Sequence, residues 1–336
     1  MTERVSRRTL STGLALAGAG LMLPFVSRHA AAAPITLVLS HHLPTAHLVH
    51  RTSERFATLV GDATKGQVTV EVHPNAQLFN LRSGAEALRL GTLDLAWTDF
   101  GTLGNWRPEF GFISLPFLLA GFDQAKKVLY GPVGEQVRTD VLKTLGIDIL
   151  ALGASGFRVF LGNKPIRTAD DCKGIKLRVP EVPIYVAMAR ALDANPTPIP
   201  ADGIYTSLQT HVVDMIEIPP DFIADTKMWE VGRDSSRTNH IFTDVSLMSS
   251  GTRMRSLPPD VQKALRDAAY QAVQIEMWNA NLANQESAWA ATAAHTKAIA
   301  DPDRKSFREK TRSVTEDFIV KNPAAKPYVA GVAATA

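Results

Sequence analysis

Four histidines, His41, His42, His47 and His50, form the densest set of potential metal ligands in the chain. On a helix, His47 and His50 would share one face. With His42 they could offer three imidazole nitrogens to zinc. No cysteine or carboxylate stands at a spacing that supports the set, so it reads as surface and helix-start histidines, and no metal site is expected. Nucleophilic chemistry is no better supplied. Ser155 lies in Gly153-Ala154-Ser155-Gly156, which is not the G-x-S-x-G spacing. The lone cysteine, Cys172, has no base beside it and reads as a buried, inert thiol. The chain has no P-loop, no G-x-G-x-x-G after a strand and no H-E-x-x-H. Arg178 carries a different chemistry. Its guanidinium is a planar fork of donors that matches a carboxylate in two parallel bonds. By itself it could equally be a surface arginine that follows a strand.

Bulk properties narrow the classes further. The 336 residues are 45% hydrophobic and 21% charged, an ordinary globular balance that suits two domains. One cysteine allows neither an intrachain disulfide nor a Cys-rich zinc site. The formal charge of +3 resides in the first 32 residues, where Arg4, Arg7, Arg8 and Arg28 face only Glu3. The remainder is neutral, which removes bulk charge as an argument for nucleic acid or an anionic membrane. Residues 1–32 read as an export signal of the twin-arginine type. Arg7-Arg8 precede an apolar run from Leu10 to Val26, and Ala30 to Ala33 are small enough for a signal peptidase. Pro34 disfavours cleavage after Ala33, so the cut is expected after Ala32. As a membrane anchor the run is shorter than the ~20 residues needed, and Gly13, Gly18, Gly20 and Pro24 interrupt it. A periplasmic location is expected.

The rest of the chain alternates strands and helices, which predicts α/β layering. Strands are expected at Ile35–Leu39, Val68–Val72, Leu93–Trp97, Ile147–Leu152, Ile175–Val179, Val213–Ile218 and Phe242–Met248. Helices are expected over Thr45–Asp62, Ser83–Leu90, Phe122–Leu145 and Ile184–Leu192. A further helix opens at Pro258-Pro259-Asp260 and is expected to reach about Ile299, nearly 60 Å if unbroken at ~1.5 Å per residue. No linker separates two domains, so the chain is expected to cross between lobes more than once, near Ala154-Ser155 and Thr243-Asp244. The expected division is residues 34–155 with 244–283 as one lobe and 156–243 with 284–336 as the other. Such an arrangement describes a hinged clamp around a ligand.

Asp170-Asp171-Cys172-Lys173-Gly174-Ile175-Lys176-Leu177-Arg178-Val179-Pro180 resembles the hallmark stretch of TRAP transporter solute-binding proteins, the tripartite ATP-independent periplasmic type. Gly156-Phe157-Arg158, Pro196-Thr197-Pro198, Tyr205-Thr206-Ser207-Leu208-Gln209-Thr210 and Trp229-Glu230-Val231 fit in the same order, as do Gln77-Leu78 and Leu115-Pro116-Phe117 upstream. The resemblance implies a periplasmic binding protein-like α/β fold: two lobes, a hinge and a long helix packed across both. It implies capture of a small organic acid and delivery to sodium-driven membrane subunits. It implies no catalysis and no cofactor; a monomer is expected. It also implies that Arg178 pairs with the ligand carboxylate. Arg158 matches a second arginine that supports the ligand, or makes an interlobe salt bridge. Asp99 stands where some members have an acidic ligand contact, and it could instead cap a helix. His42 stands where members present a polar side chain to the cleft. The alternative reading is an exported α/β hydrolase or lyase acting on a small carboxylate, although no nucleophile–base pair has a usable spacing.

The chain departs from the pattern at the ligand. Members commonly read G-Q-E-N-P where this chain has Met215-Ile216-Glu217-Ile218-Pro219, so Ile218 replaces an asparagine. Ala201 stands where an aromatic is common. Ile218, with Phe222 and Trp97 expected nearby, suggests a less polar pocket. A monocarboxylate with an apolar or aromatic tail is expected, because a second carboxylate would need its own partner.

Overall fold

The computed structural model describes residues 33–335, and the expected export signal lies outside them. No helix among the described residues is long and apolar enough to cross a membrane. The strands are β1 (Ile35–Ser40), β2 (Val68–His73), β3 (Leu95–Thr98), β4 (Ile147–Ala151), β5 (Ala154–Phe157), β6 (Val159–Gly162) and β7 (Lys176–Val179). They continue with β8 (Asn195–Pro198), β9 (Met215–Ile218), β10 (Asp234–Ser236), β11 (Phe242–Asp244), β12 (Ser246–Ser250) and β13 (Lys297–Ile299).

Two sheets result. The first has the order β2-β1-β3-β12-β4, with β1 parallel to β2 and β3, and β12 antiparallel to both its neighbours. The second has the order β13-β10-β6-β9-β7-β8, with β7 parallel to β8 and β9. Helices pack against both, so strands are covered on both faces: all five residues of β4 and all four of β9 are buried, Asp148 and Glu217 included. Between the sheets, β5 and β11 pair antiparallel, with Gly156 opposite Thr243. The chain leaves the first sheet through β5 and returns to it through β11.

The helix that opens at Pro259 runs to His295, ~55 Å at 1.5 Å per residue, with a wider π-helical stretch over Tyr270–Met277. Its first part buries Val261, Leu265 and Val273, and its second part buries Asn281, Gln285 and Trp289. A continuous apolar cluster joins Leu37, Phe56 and Trp97 through Val273, Met277 and Trp289 to Ile216 and Phe222. Burial of that many side chains at roughly 1.5–3 kcal/mol each is the main source of cohesion. The cluster runs from the first sheet to the second by way of the helix.

Three expected elements divide differently. The helix expected over Phe122–Leu145 is two, Phe122–Leu129 and Pro132–Leu145. Pro132 has no N–H to continue the first helix, and Gly131 is extended before it. The strand expected over Phe242–Met248 is β11 and β12, because the chain changes partner from β5 to β3 and β4 around Val245. The long helix ends at His295, not near Ile299. Thr296 turns extended, its hydroxyl lies 2.7 Å from that of Ser235, and Lys297–Ile299 joins the second sheet beside β10.

Candidate functional site

The carboxyl ends of parallel strands point into the space between the two sheets, the usual location of ligand crevices in α/β folds. His42 follows β1, Asp99 follows β3, Arg178 is the last residue but one of β7 and Ile218 ends β9. All four line one cavity of about 100 Å³, with Arg158, Phe222, Tyr185 and Asp244. The structure thus brings together Arg178, Arg158, Asp99, His42, Ile218 and Phe222. Trp97 is the exception. It is buried in the apolar cluster, its Nε1 donates to Ser53 Oγ at 2.7 Å, and it does not line the cavity. On β3 its side chain faces the helix of Leu48–Ala63, because successive strand residues point to opposite faces.

Arg178 is only 3% exposed. Its Nε donates to the Ile199 carbonyl at 2.8 Å, and among the described residues no carboxylate lies within ion-pair distance of it. Burial pushes its pKa down to about 9; Glu217 opposes that shift and Arg158 adds to it. At neutral pH the group remains a cation held in a poorly hydrated wall, a situation that strongly favours an incoming anion.

Arg158 is a different case. It follows β5, and Glu217 sits on β9, the neighbour of β6. The guanidinium grips the Glu217 carboxylate through Nε and through Nη2 at 2.9 Å, and Nη2 also donates to the Glu217 carbonyl at 2.6 Å. Nη1 donates to Thr243 Oγ1 at 3.2 Å, and the guanidinium carbon lies 4.9 Å from the centre of the Tyr185 ring. Burial acts to lower the Arg158 pKa, but Glu217 outweighs it and the pKa is raised. The fork of Arg158 is therefore filled by protein, and its ion pair joins adjacent strands rather than opposite lobes.

Asp99 caps a helix, as one of its two sequence readings expected, and it also faces the cavity. Its Oδ1 accepts from the Thr102 N–H at 2.6 Å as the cap of a short helix, while the residue lines the cavity. Asp244, at the end of β11, was not singled out by the sequence. Both its carboxylate oxygens lie 3.2 Å from the Phe100 nitrogen. Burial raises the pKa of Asp99, and burial with the charge of Asp99 raises that of Asp244. His42 has its pKa lowered to about 3 by burial, with His41, His47 and Arg178 adding to the shift, and its buried Nδ1 has no hydrogen-bond partner among the described residues.

His47, weighed from the sequence only as a zinc ligand, lines the cavity and is backed by Asp221. His47 caps the helix of Leu48–Ala63 through Nδ1, and its Nε2 lies 3.1 Å from Asp221 Oδ2. Ser155 Oγ donates to the same carboxylate at 3.1 Å. His50 instead meets His41, ring nitrogen to ring nitrogen at 3.2 Å. The histidines thus point apart, and among the described residues no three His, Cys, Asp or Glu converge as a metal cage. Cys172 is buried, and burial pushes its thiol up to about 12. The sequence named His47 as a helix-start histidine and possible zinc ligand, not as part of this cleft. Nothing local could pair it with Asp221, 174 positions away by the numbering.

Residues 39–322 match the family described as bacterial extracellular solute-binding protein, family 7. The chain is 28% identical to the C4-dicarboxylate-binding periplasmic protein DctP of Rhodobacter capsulatus, over 99% of each chain. It is 27% identical to the 2,3-diketo-L-gulonate-binding periplasmic protein YiaO of Escherichia coli, over 81% of this chain and 83% of that one. Among solved structures it resembles a TRAP periplasmic solute-binding protein of Haemophilus influenzae with bound L-gulonate. That match has a TM-score of 0.84 and 27% identity, and covers 90% of this chain and 100% of the other.

Proposed function

Since the chain belongs to family 7 of the bacterial extracellular solute-binding proteins, the TRAP transporter type, we propose that it captures a small organic acid between its lobes without transforming it. One observation carries this reading: Arg178 is a buried cation on the cavity wall whose nearest protein acceptor is a carbonyl. A ligand carboxylate would supply the missing anion in two parallel bonds. Closure of the lobes would exclude water and strengthen the pair. Ile218 and Phe222 provide apolar surface for the carbon skeleton.

Handover to sodium-driven membrane subunits in the periplasm is the remaining part of this reading. It is supported by the named periplasmic relatives and by the expected export signal. The chemistry of the cavity agrees with capture. Ser155, a hydroxyl on the cavity wall, donates its proton to a carboxylate rather than to a histidine base.

The test is a thermal-shift screen of organic acids that includes C4-dicarboxylates and sugar acids. A ligand that binds the folded state alone stabilises it by about 2.7 kcal/mol at a hundred times its Kd. At least one acid should raise the melting temperature in a concentration-dependent way. A flat response across the whole set would contradict the reading.

A further inference from the structure

At the base of the cleft one buried nitrogen lacks an aligned acceptor. His47 is 1% exposed and starts the helix Leu48–Ala63, which packs on the first sheet. Its Nδ1 accepts the Val49 N–H at 3.1 Å, so that nitrogen carries no proton. The ring is therefore neutral, with its proton on Nε2. Nε2 lies 3.1 Å from Asp221 Oδ2, but the carboxylate stands off the line that a ring N–H takes. Among the described residues the buried Nε2 makes no hydrogen bond. A buried donor in that state is costly, and a small movement of either partner would relieve it.

Asp221 belongs to the other side of the cleft. It lies in the helix Pro220–Asp225, which follows β9 of the second sheet, and it is 3% exposed. Among the described residues no lysine or arginine lies within ion-pair distance of it. Its Oδ1 accepts the Phe222 N–H at 2.8 Å, and its Oδ2 accepts from Ser155 Oγ at 3.1 Å. Ser155 stands on β5, the strand by which the chain leaves the first sheet. The group thus links the first sheet, the crossing and the second sheet. Phe222 and Ile218 line the cavity, and Asp221 does not. A ligand that seats against Phe222 therefore moves, one peptide unit away, the carboxylate that His47 needs.

We propose that His47 and Asp221 form a latch across the base of the cleft: closing of the lobes on an acid brings the Nε2–H into line with Asp221, and the completed bond holds the closed form. The two are positioning residues. Nδ1 of His47 is taken by the helix cap, its Nε2 is committed to Asp221, and Asp221 is shielded from the cavity. The inference rests on acid capture as proposed above and goes beyond it, because it assigns part of the affinity to a bond that the ligand does not touch. Apparent affinity depends on how readily the binding-competent form is reached, so a lost latch weakens binding with every ligand contact intact.

The experiment is a double-mutant cycle read in ligand affinity. The full mature protein, His47→Asn, Asp221→Ala and the double variant are titrated calorimetrically with whichever of L-gulonate, D-glucuronate and succinate gives the largest thermal shift. Asparagine at position 47 keeps an oxygen to cap the helix and is too short to reach Asp221, so it separates the latch from helix stability. Each single variant should bind about tenfold more weakly, mainly through faster dissociation. The double variant should bind no more weakly than the weaker single one. Nitrogen-15 NMR of the wild-type histidine rings needs no variant to fold. It should show the His47 proton on Nε2 and a downfield shift of that proton when the acid binds. Single variants that bind as tightly as wild type, an unshifted Nε2 proton, or losses that multiply in the double variant overturn the latch and leave acid capture standing. A loss with His47→Asn that Asp221→Ala does not share also overturns it, since His47 would then donate to the ligand itself. If no acid in the screen binds wild-type protein, capture fails and the latch fails with it.

Discussion

Arg178 and Arg158 are both buried guanidinium groups, and their partners separate them. Arg158 has Glu217, which is fully buried beside it; Arg178 has a carbonyl. Removing one member of a buried pair leaves the other uncompensated, so Arg158→Ala should cost about 3–5 kcal/mol of stability. Chemical denaturation would show it, and an Arg158→Ala protein as stable as the parent would contradict the structural role. His41 makes a pH prediction. It is 1% exposed, and burial, with His50 and His47 nearby, lowers its pKa from 6.5 to about 3. Between those values the unfolded chain binds a proton that the folded chain does not. Stability should therefore fall as pH drops from about 6.5 toward 3, by up to about 1.4 kcal/mol per unit for this one group. His41→Asn should lose less stability than the parent between pH 7 and pH 5. Equal losses would mean that His41 is not held neutral.

At the scale of elements, Gly156 shows what holds the crossing in place. Its φ is +116°, a region that side chains rarely adopt. A Cβ there would lie 1.9 Å from Gln285 Oε1, the atom that accepts the Phe157 N–H at 2.8 Å. Asn281, one turn earlier on the long helix, donates to the Ala154 carbonyl. The helix thus clasps β5 from one side while β11 pairs with it from the other. Gly156→Ala should cost on the order of 2–5 kcal/mol, combining overpacking and backbone strain. A melting temperature within a degree or two of the parent would contradict this account. The sequence revealed the elements whose signals are local. The alternation of β2, the helix stop at Gly91 and the proline start at Pro259 are all readable in short windows. The change of partner at Val245 was not readable, because β11 and β12 form one β-prone run whose two halves belong to different pairings. The site was legible to the same degree. Arg178, Asp99 and His42 sit at or just after strand ends that the sequence marks, whereas Asp244 reaches the cavity and His47 meets Asp221 only through tertiary contact.

For the whole molecule, two sheets joined by paired crossings form a frame able to hinge, with the cavity between them. The lobe division at residues 155/156, 243/244 and 283/284 remains our proposal for the moving bodies. A ligand that binds the closed form better shifts the population toward it. Small-angle scattering with a saturating acid should show a smaller radius of gyration than the free protein, and an unchanged radius would count against the hinge. The central claim is that one buried arginine recruits the carboxylate. Calorimetric titration of the wild-type protein, Arg178→Ala and Arg178→Lys with the best acid from the screen tests it most directly. Arg178→Ala should weaken binding by roughly 3–5 kcal/mol, about 10²–10³-fold or more. Arg178→Lys should also bind poorly, since an ammonium keeps the charge and loses the planar fork. A folded Arg178→Ala protein that bound the acid within a few-fold of wild type would place the carboxylate elsewhere and contradict the account.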